Sequence, residues 1–222
     1  MTSEAAELCR RIVDIGRRID TRGFAAGNEG NISVRLADDR FLCTPSLVPK
    51  GRLTVDDLVI IDGSGNKLEG TRDRSSEALL HLAIYANRPD CHAVVHTHPV
   101  HVTAFALTHT QLPRFVSPEV EVFLGEVALT PYETPGTDQF ARSVIPYLGQ
   151  ANALILANHG MVSYAADLEH AFWWTEILDA HCRTLLAAKS LGQLQPLPSE
   201  KRDELIAARE VWAEKLRSAA CR

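Results

Sequence analysis

Residues 93–99 have the sequence Ala-Val-Val-His-Thr-His-Pro and fix how the middle of the chain folds. The three apolar residues at the start of this stretch are typical of a short buried strand. Pro99 can begin a helix, because its restricted φ angle suits the first helical turn. In an extended segment alternate side chains point to the same side, so His96 and His98 can present their imidazoles together. The stretch therefore predicts a buried strand whose end carries a pair of histidines.

Two histidines separated by one residue form a natural clamp for a metal ion. Zinc binds neutral imidazole well, and a catalytic zinc site typically takes three protein ligands and leaves one position open. His159 is the best candidate for the third ligand, since it lies between a predicted strand at residues 153–157 and Gly160, where irregular backbone could direct a side chain inward. Taken singly, each histidine could be purely structural. Together with Glu77, described below, the three favour a metal site.

Outside this stretch, helical patterns alternate with short apolar runs. Leu8, Ile12, Ile15 and Ile19 recur at helical spacing and predict an amphipathic helix from about Ser3 to Gly23. Further helices are predicted from Ser75 or Ser76 to the Arg88-Pro89 pair, and at residues 99–107, 137–148, 168–191 and 199–219. Strands are predicted at residues 31–35, 41–44, 58–61, 93–95, 122–124, 127–129 and 153–157. Most connections between the strands are too short for parallel crossovers. We therefore predict an α/β-type layered fold, α+β in stricter terms, with a central, mainly antiparallel sheet flanked by helices in a single domain over residues 1–222.

Composition limits the kinds of partner that this chain can have. The formal net charge of -5 and the pI near 6.0 give no electrostatic basis for binding nucleic acid or an anionic membrane. No apolar stretch is long enough to span a bilayer, and the first residues lack the pattern of a signal peptide. The five cysteines include no CxxC pair. These features predict a soluble, cytoplasmic protein without a nucleic-acid or membrane partner.

Glu77 follows Ser75 and Ser76 at the start of a predicted helix, where free backbone amides and the helix dipole favour an anion. The glutamate can be an ordinary capping residue, or the same place can suit a bound phosphate. Two other polar segments could contribute to such a site. Residues 27–33 combine glycines, which permit close approach to a ligand, with asparagines that supply neutral donors. Residues 44–46, Thr-Pro-Ser, form a third polar corner.

In this order, the motifs resemble the class II aldolase/adducin family, and in particular its L-fuculose-phosphate aldolases. The motifs are GNEGNIS (27–33), TPS (44–46), SSE (75–77), HTHP (96–99), PYETPGT (131–137) and NHG (158–160), and the resemblance extends from the first helix to about Leu191. It implies a divalent metal, zinc or else manganese or cobalt, held by His96, His98 and His159. It implies that Glu77 is the catalytic acid and base and can also touch the metal. It further implies a homotetramer and a phosphate pocket made by Asn28, Gly30, Asn31, Ser46, Ser75 and Ser76.

The chain departs from the family pattern at two positions. Ser117 stands where the L-fuculose-phosphate aldolases carry a catalytic tyrosine, and Leu47 replaces a glycine of the phosphate corner. Glu121 lies about where epimerase and dehydratase relatives place a catalytic carboxylate, so we predict it as a second catalytic group. The alternative is that Glu121 is a solvated charge between strand residues.

The resemblance implies a metal-dependent lyase that cleaves a small, phosphorylated ketose by a retro-aldol reaction through a metal-stabilised enediolate. Three alternatives use the same site: decarboxylation of a 3-oxo acid phosphate, 4-epimerisation of a pentulose phosphate, and dehydration of a thio-ribulose phosphate. A non-enzymatic alternative is an interaction module like that of adducin. Retention of the three histidines and Glu77 argues against that last possibility.

Overall fold

The structure, a computed structural model, describes residues 3–36, 39–149 and 151–220. Its strands are β1 (Asn31–Arg35), β2 (Arg40–Cys43), β3 (Val59–Asp62), β4 (Lys67–Glu69), β5 (Ala93–Thr97), β6 (Leu129–Thr130), β7 (Ala153–Leu156) and β8 (Gly160–Ala165). Its α-helices are α1 (Ser3–Thr21), α2 (Ala78–Asn87), α3 (Val100–Leu107), α4 (Asp138–Ser143), α5 (Leu168–Lys189) and α6 (Ser199–Ala220). The strands form one eight-stranded sheet in the order β4-β3-β2-β1-β5-β8-β7-β6.

Neighbouring strands of this sheet run antiparallel, except that β6 and β7 are parallel. Tight turns join several sequential strands and enforce the antiparallel pairing, whereas the chain reaches β7 from β6 through α4. The turn between β3 and β4 is organised by Asp62, whose carboxylate accepts hydrogen bonds from the backbone N–H groups of Ser64 and Asn66 at 2.9 and 2.8 Å. The predicted fold class, a mainly antiparallel sheet flanked by helices, is confirmed.

Helices cover both faces of the sheet, because the strands carry apolar side chains on both faces. On one face, α1 and α5 pack on the sheet through a cluster that includes Ile12, Ile15, Ile32, Val95 and Phe172. On the other face, α2 and α4 pack through a cluster that includes Leu80, Ile84, Val94, Phe140 and Leu154. Val94 and Val95 of β5 therefore point to opposite faces. By the same alternation His96 shares the face of Val94, which is the face that α2 covers.

Three predicted elements are wrong in kind or extent. Residues 122–124, predicted as a strand, belong to the π-helical turn Val120–Leu124, in which the N–H of Gly125 bonds to the carbonyl of Val120. The strand predicted at 127–129 is replaced by β6, Leu129–Thr130, whose two residues pair with Ile155 and Leu156 of β7. The helix predicted at 137–148 ends at Ser143 and continues as the 3-10 turn Ile145–Tyr147, because Pro146 cannot donate to an α-helical ladder.

Two other expectations concern the whole chain. Within residues 3–36, 39–149 and 151–220, no helix combines the length and apolarity needed to cross a bilayer. Cys9, Cys43, Cys91 and Cys182 are buried, while Cys221 lies outside the described residues. The single domain over residues 1–222 stays a prediction.

Candidate active site

The imidazoles of His96, His98 and His159 converge at the end of β5. One ring nitrogen of each lies within 4.8 Å of those of the other two, and the Nε2 atoms of His96 and His98 are 3.0 Å apart. The ring centroids are separated by 4.7 to 4.8 Å. The structure thus brings together the three histidines that the sequence selects as metal ligands. Their role as ligands stays a prediction.

Each histidine reaches this point from a different kind of backbone. His96 is the fourth residue of β5 and is fully buried. His98 lies just beyond that strand, where its N–H donates to the carbonyl of Phe24 at 2.8 Å. His159 lies in the hairpin between β7 and β8, directly after Asn158, which adopts a left-handed φ of 55°. A short polar residue is among the few non-glycine residues that tolerate this conformation, so Asn158 makes the turn that presents His159.

Two glycines allow the surrounding backbone to approach the histidines closely. A Cβ atom at Gly160 would lie 2.5 Å from Cδ2 of His98 and 2.6 Å from the carbonyl oxygen of Thr97. A Cβ atom at Gly30 would lie 2.7 Å from the carbonyl oxygen of His96. Contacts this short exclude a side chain without displacement of the neighbouring atoms. Gly30, predicted for ligand binding, therefore already has a structural role beside His96.

The hydrogen bonds of the histidines leave suitable donor atoms for a metal. Nδ1 of His96 lies 2.8 Å from the carbonyl oxygen of Met161 and must donate to it, which leaves the lone pair on Nε2. Nδ1 of His98 faces Oε2 of Glu29 at 3.3 Å, which favours the same tautomer. Several imidazole nitrogens that meet in a partly buried site match the donor set that zinc prefers. The residues present therefore fit a divalent cation.

Glu77 completes this cluster from the beginning of α2. Its Oε2 lies 3.2 Å from Nε2 of His96, and its Oε1 lies 3.4 Å from Nε2 of His159. Nδ2 of Asn31 donates to Oε2 at 2.8 Å. Although Glu77 is the N-cap residue of α2, its side chain makes no capping hydrogen bond. The carboxylate turns away from the helix and toward the histidines, so capping does not explain this residue.

The electrostatics of the cluster favour positive charge beside this carboxylate. Burial alone would raise the pKa of Glu77, but the charges of His96 and His159 and the hydrogen bonds from His96 and Asn31 outweigh it and hold this pKa well below its usual range. The Glu77 carboxylate raises the pKa of His96 despite burial. Burial and the neighbouring His96 charge lower the pKa of His98 to about 4 and that of His159 to about 3. Glu77 is therefore a carboxylate at neutral pH, and the imidazoles of His98 and His159 are neutral.

Glu29 belongs to the same environment, and the sequence analysis did not select it. Its Oε2 accepts a hydrogen bond from the N–H of Ala26 at 3.0 Å and lies 3.3 Å from Nδ1 of His98. A carboxylate on the second nitrogen of a metal-binding histidine fixes the tautomer and orientation of the ring. The available signal was that Glu29 is the one charged residue of the 27–33 motif. The contact itself depends on how this loop folds over the end of β5.

The three segments proposed for phosphate also meet. Oγ of Ser46 donates to the carbonyl of Arg74 at 2.9 Å, and the N–H of Ser46 donates to the carbonyl of Asp73 at 3.0 Å. The N–H of Ile32 donates to Oγ1 of Thr44 at 3.1 Å, which joins the first segment to the second. Asn28 and Ser76 are exposed, whereas Asn31 and Ser75 are buried. A phosphate-binding role for these segments stays a prediction.

Glu121 and Ser117 lie in a different environment. Glu121 is 6% exposed, and its carboxylate accepts hydrogen bonds from the Arg114 guanidinium, the shortest at 2.7 Å, and from the N–H of Phe115 at 2.6 Å. The interpretation of Glu121 as a solvated charge between strand residues is therefore wrong. Oγ of Ser117 donates to Glu119 at 3.0 Å. Within the described part of the chain, neither Glu121 nor Ser117 contacts the histidines or Glu77, and a catalytic role for Glu121 stays a prediction.

Comparison with known proteins shows which family this chain belongs to. The family described as "Class II Aldolase and Adducin N-terminal domain" matches residues 10–186. The 3-oxo-tetronate 4-phosphate decarboxylase of Haemophilus influenzae is 37% identical over 172 residues, which are 76% of this chain and 81% of that protein. The L-fuculose phosphate aldolase of Escherichia coli K12 is 32% identical over 198 residues, 89% of this chain and 91% of that protein. A solved structure of an L-fuculose 1-phosphate aldolase superposes with a TM-score of 0.85 at 27% identity and covers 93% of this chain and 96% of that one.

Proposed function

The chain belongs to the class II aldolase and adducin family, and from that premise we propose a divalent-metal lyase that cleaves a small ketose phosphate by a retro-aldol reaction. The relatives named above are lyases that act on phosphorylated compounds. The observation that carries the proposal is the convergence of three imidazoles on one carboxylate that serves no capping function. An interaction module would have no need for this arrangement.

His96, His98 and His159 would hold the metal, with Glu77 as an additional oxygen donor before substrate binds. We propose zinc, because all three protein donors are imidazole nitrogens, with manganese or cobalt as alternatives. A bound divalent cation would supply a Lewis acid that stabilises the negative charge of an enediolate. Glu29 and the carbonyl of Met161 would keep the rings of His98 and His96 oriented toward it.

Glu77 would move the proton at the carbon that becomes nucleophilic after cleavage. Its Oε2 is held by Asn31 at 2.8 Å, which fixes the plane of the carboxylate. A carboxylate of depressed pKa is a weak base, so Glu77 needs relief from the neighbouring positive charge to accept a proton near neutral pH. Negative charge on the bound substrate oxygens would offset that positive charge and provide this relief.

Neutral donors would bind the phosphate group of the substrate, since the chain is acidic overall. The residues proposed for this role are Asn28, Gly30, Asn31, Ser46, Ser75 and Ser76. Ser75 and Ser76 directly precede Glu77 at the beginning of α2, where backbone amides attract anions. From the family resemblance we also propose that the protein is cytoplasmic and forms a homotetramer. Sedimentation equilibrium of the purified protein would test the oligomeric state.

Decarboxylation of a 3-oxo acid phosphate is the second candidate. It is favoured by the 37% identity to a decarboxylase and by Ser117, which offers no phenol at the position where the aldolases carry a tyrosine. Decarboxylation also generates an enediolate, so the same metal and carboxylate would serve it. Epimerisation and dehydration remain further variants of this chemistry.

One screen distinguishes these reactions. The zinc-loaded protein is incubated with phosphorylated ketoses and 3-oxo acid phosphates, and released aldehyde, carbon dioxide and epimer are scored separately. Aldehyde from a ketose phosphate would support the proposal, and carbon dioxide alone would replace it by the second candidate. Absence of every product with correctly folded, metal-loaded protein would contradict both.

A further inference from the structure

Lys50 is a buried cation close to the candidate active site. It begins the 3-10 turn Lys50–Arg52 and is 1% exposed, which places it among the largest fully buried side chains of the described residues. Its Nζ donates to the carbonyl of Val48 at 2.7 Å and to the carbonyl of Asn28 at 3.2 Å. Lysine is rarely buried so completely without a charged partner, so its position needs a reason.

The two carbonyl groups belong to the two loops that the proposed function assigns to phosphate. Asn28 lies in the loop before β1, and Val48 follows Ser46 in the corner after β2. The ammonium group therefore links the backbones of these two loops through its hydrogen bonds. Leu47, between Ser46 and Val48, has a left-handed φ of 60° and is 81% exposed. The corner is therefore exposed at Leu47, while the buried Lys50 holds it in place through the carbonyl of Val48.

Lys50 makes no ion pair in the described part of the chain, where its hydrogen-bonding partners are carbonyl oxygens and not carboxylates. Asp20 of α1 lies against the next residue, Gly51, and makes no ion pair with Lys50. Burial accordingly lowers the pKa of Lys50 to about 8. Carbonyl dipoles offset only part of the cost of burying a full charge, so a nearby anion would stabilise this arrangement.

We propose that Lys50 is a positioning residue that supplies the positive charge of the phosphate site. It holds the loop at 27–31 against the corner at 44–49 without touching the ligand. Its charge favours doubly charged phosphate monoesters over singly charged diesters. This inference rests on the proposed function, because it assumes that these loops bind phosphate.

The test compares two probes that differ by one charge. Methyl phosphate and dimethyl phosphate are titrated at pH 7.5 into the metal-loaded full chain, below the pKa of Lys50 and above the second pKa of a phosphate monoester, about 6, and binding is followed by phosphorus NMR. The variants are Lys50→Gln and, as a matched control, Arg52→Gln, which removes an exposed cation two residues away. A Lys50→Met variant replaces Lys50→Gln if the latter does not fold, as judged by circular dichroism.

We expect Lys50→Gln to weaken methyl phosphate binding roughly 10- to 100-fold, the range for one unit charge acting over several ångströms at an effective dielectric constant of about 20. Dimethyl phosphate should lose much less, and Arg52→Gln should bind both probes as the unmodified chain does. Equal loss for both probes would reduce Lys50 to a structural support, and unchanged binding would overturn the proposal altogether. If the unmodified chain itself fails to bind methyl phosphate, the phosphate assignment in the proposed function is wrong, which is a different and distinguishable outcome.

Discussion

In the sequence, Glu77 can be either a helix-capping residue or a residue of the active site. The geometry of the structure distinguishes these two roles. A glutamate in the first turn of a helix is usually a favourable charge near free amides. Here the side chain makes no capping bond, and its two oxygens face His96 and His159 at 3.2 and 3.4 Å. Cap preference therefore does not account for this residue, and proximity to the histidines does.

Glu77→Gln should lower kcat/KM roughly 10²- to 10⁴-fold, because the amide keeps the size of the side chain but cannot carry the proton. Metal content should persist, since the three histidines remain, and elemental analysis of the dialysed variant would measure it. Glu69→Gln, which changes an exposed carboxylate of β4, is the control and should leave kinetics unchanged. Full activity of Glu77→Gln in metal-loaded form would exclude Glu77 as the proton carrier.

The role of a single residue could be predicted from the sequence where the residue belongs to a recognisable motif. It could not be predicted where the role depends on a contact made by a folded loop. The spacing of His96 and His98, and the strand end before His159, are local properties of the sequence. Glu29 and Lys50 gave no comparable signal. The first touches His98 only because its loop folds back over β5, and the second is buried only because two loops and α1 enclose it.

Among the secondary-structure elements, the β7–β8 hairpin leaves no space for a larger residue beside His98. Gly160 pairs with Leu156 and lies so close to His98 that a Cβ atom would approach Cδ2 to 2.5 Å. Gly160→Ala should therefore rotate or displace His98 and weaken zinc binding on the order of tenfold to hundredfold. Competition with a chelating dye would measure the dissociation constant.

Gly149→Ala is the matched control for this variant, since a Cβ atom there would meet nothing within 4 Å. It should retain the zinc affinity of the unmodified chain. Equal affinities for the two variants would mean that the hairpin relaxes without moving His98.

The segment around the π-helical turn Val120–Leu124 supports a second prediction at this scale. Arg114 holds both the buried Glu121 and Glu126, whose side chain is 62% exposed. Glu121→Gln should lower the free energy of unfolding by roughly 1 to 3 kcal/mol, because charged hydrogen bonds in a buried setting are lost. Glu126→Gln, which removes the exposed partner of the same arginine, should cost less than about 0.5 kcal/mol.

Urea unfolding would measure both free energies, and steady-state kinetics of the folded variants would test the predicted catalytic role of Glu121. A reduced kcat for Glu121→Gln without loss of stability would favour catalysis. Loss of stability with unchanged kcat would make Glu121 a structural residue.

The sequence analysis predicted a strand where the chain forms a π-helical turn and did not predict β4 or β8, each for a different physical reason. Residues 120–124 have an apolar pattern that suits a strand, yet Val120 and Leu124 are buried together because tertiary packing favours a π-helical turn closed at Gly125. The three residues of β4 are all exposed, so no apolar alternation marks them. β8 has five buried residues in succession, so it lacks the alternation of apolar and polar residues that marks a strand with one exposed face.

For the whole molecule, the sheet register determines how the site is assembled. Asn31 of β1 is paired with His96 of β5, and Met161 of β8 is paired with Thr97. These pairings bring the residue that holds Glu77 and the carbonyl that orients His96 to the same end of the sheet. The class of fold follows from short connections and alternating polarity, but the register depends on the packing of both faces and could not be read from the sequence.

Metal binding should stabilise the entire fold, because its ligands come from β5, from the residue after it and from the β7–β8 hairpin. Zinc at about 100 times its dissociation constant should raise the free energy of unfolding by about 2.7 kcal/mol, provided that the unfolded chain does not bind it. Thermal unfolding with zinc and with a chelator would measure this increment. His96→Ala, His98→Ala and His159→Ala should each abolish most of it, whatever their effect on the metal-free protein. His92→Ala, which removes an exposed histidine before β5, should retain it in full, and an undiminished increment in any of the three cluster variants would remove that histidine from the set of ligands.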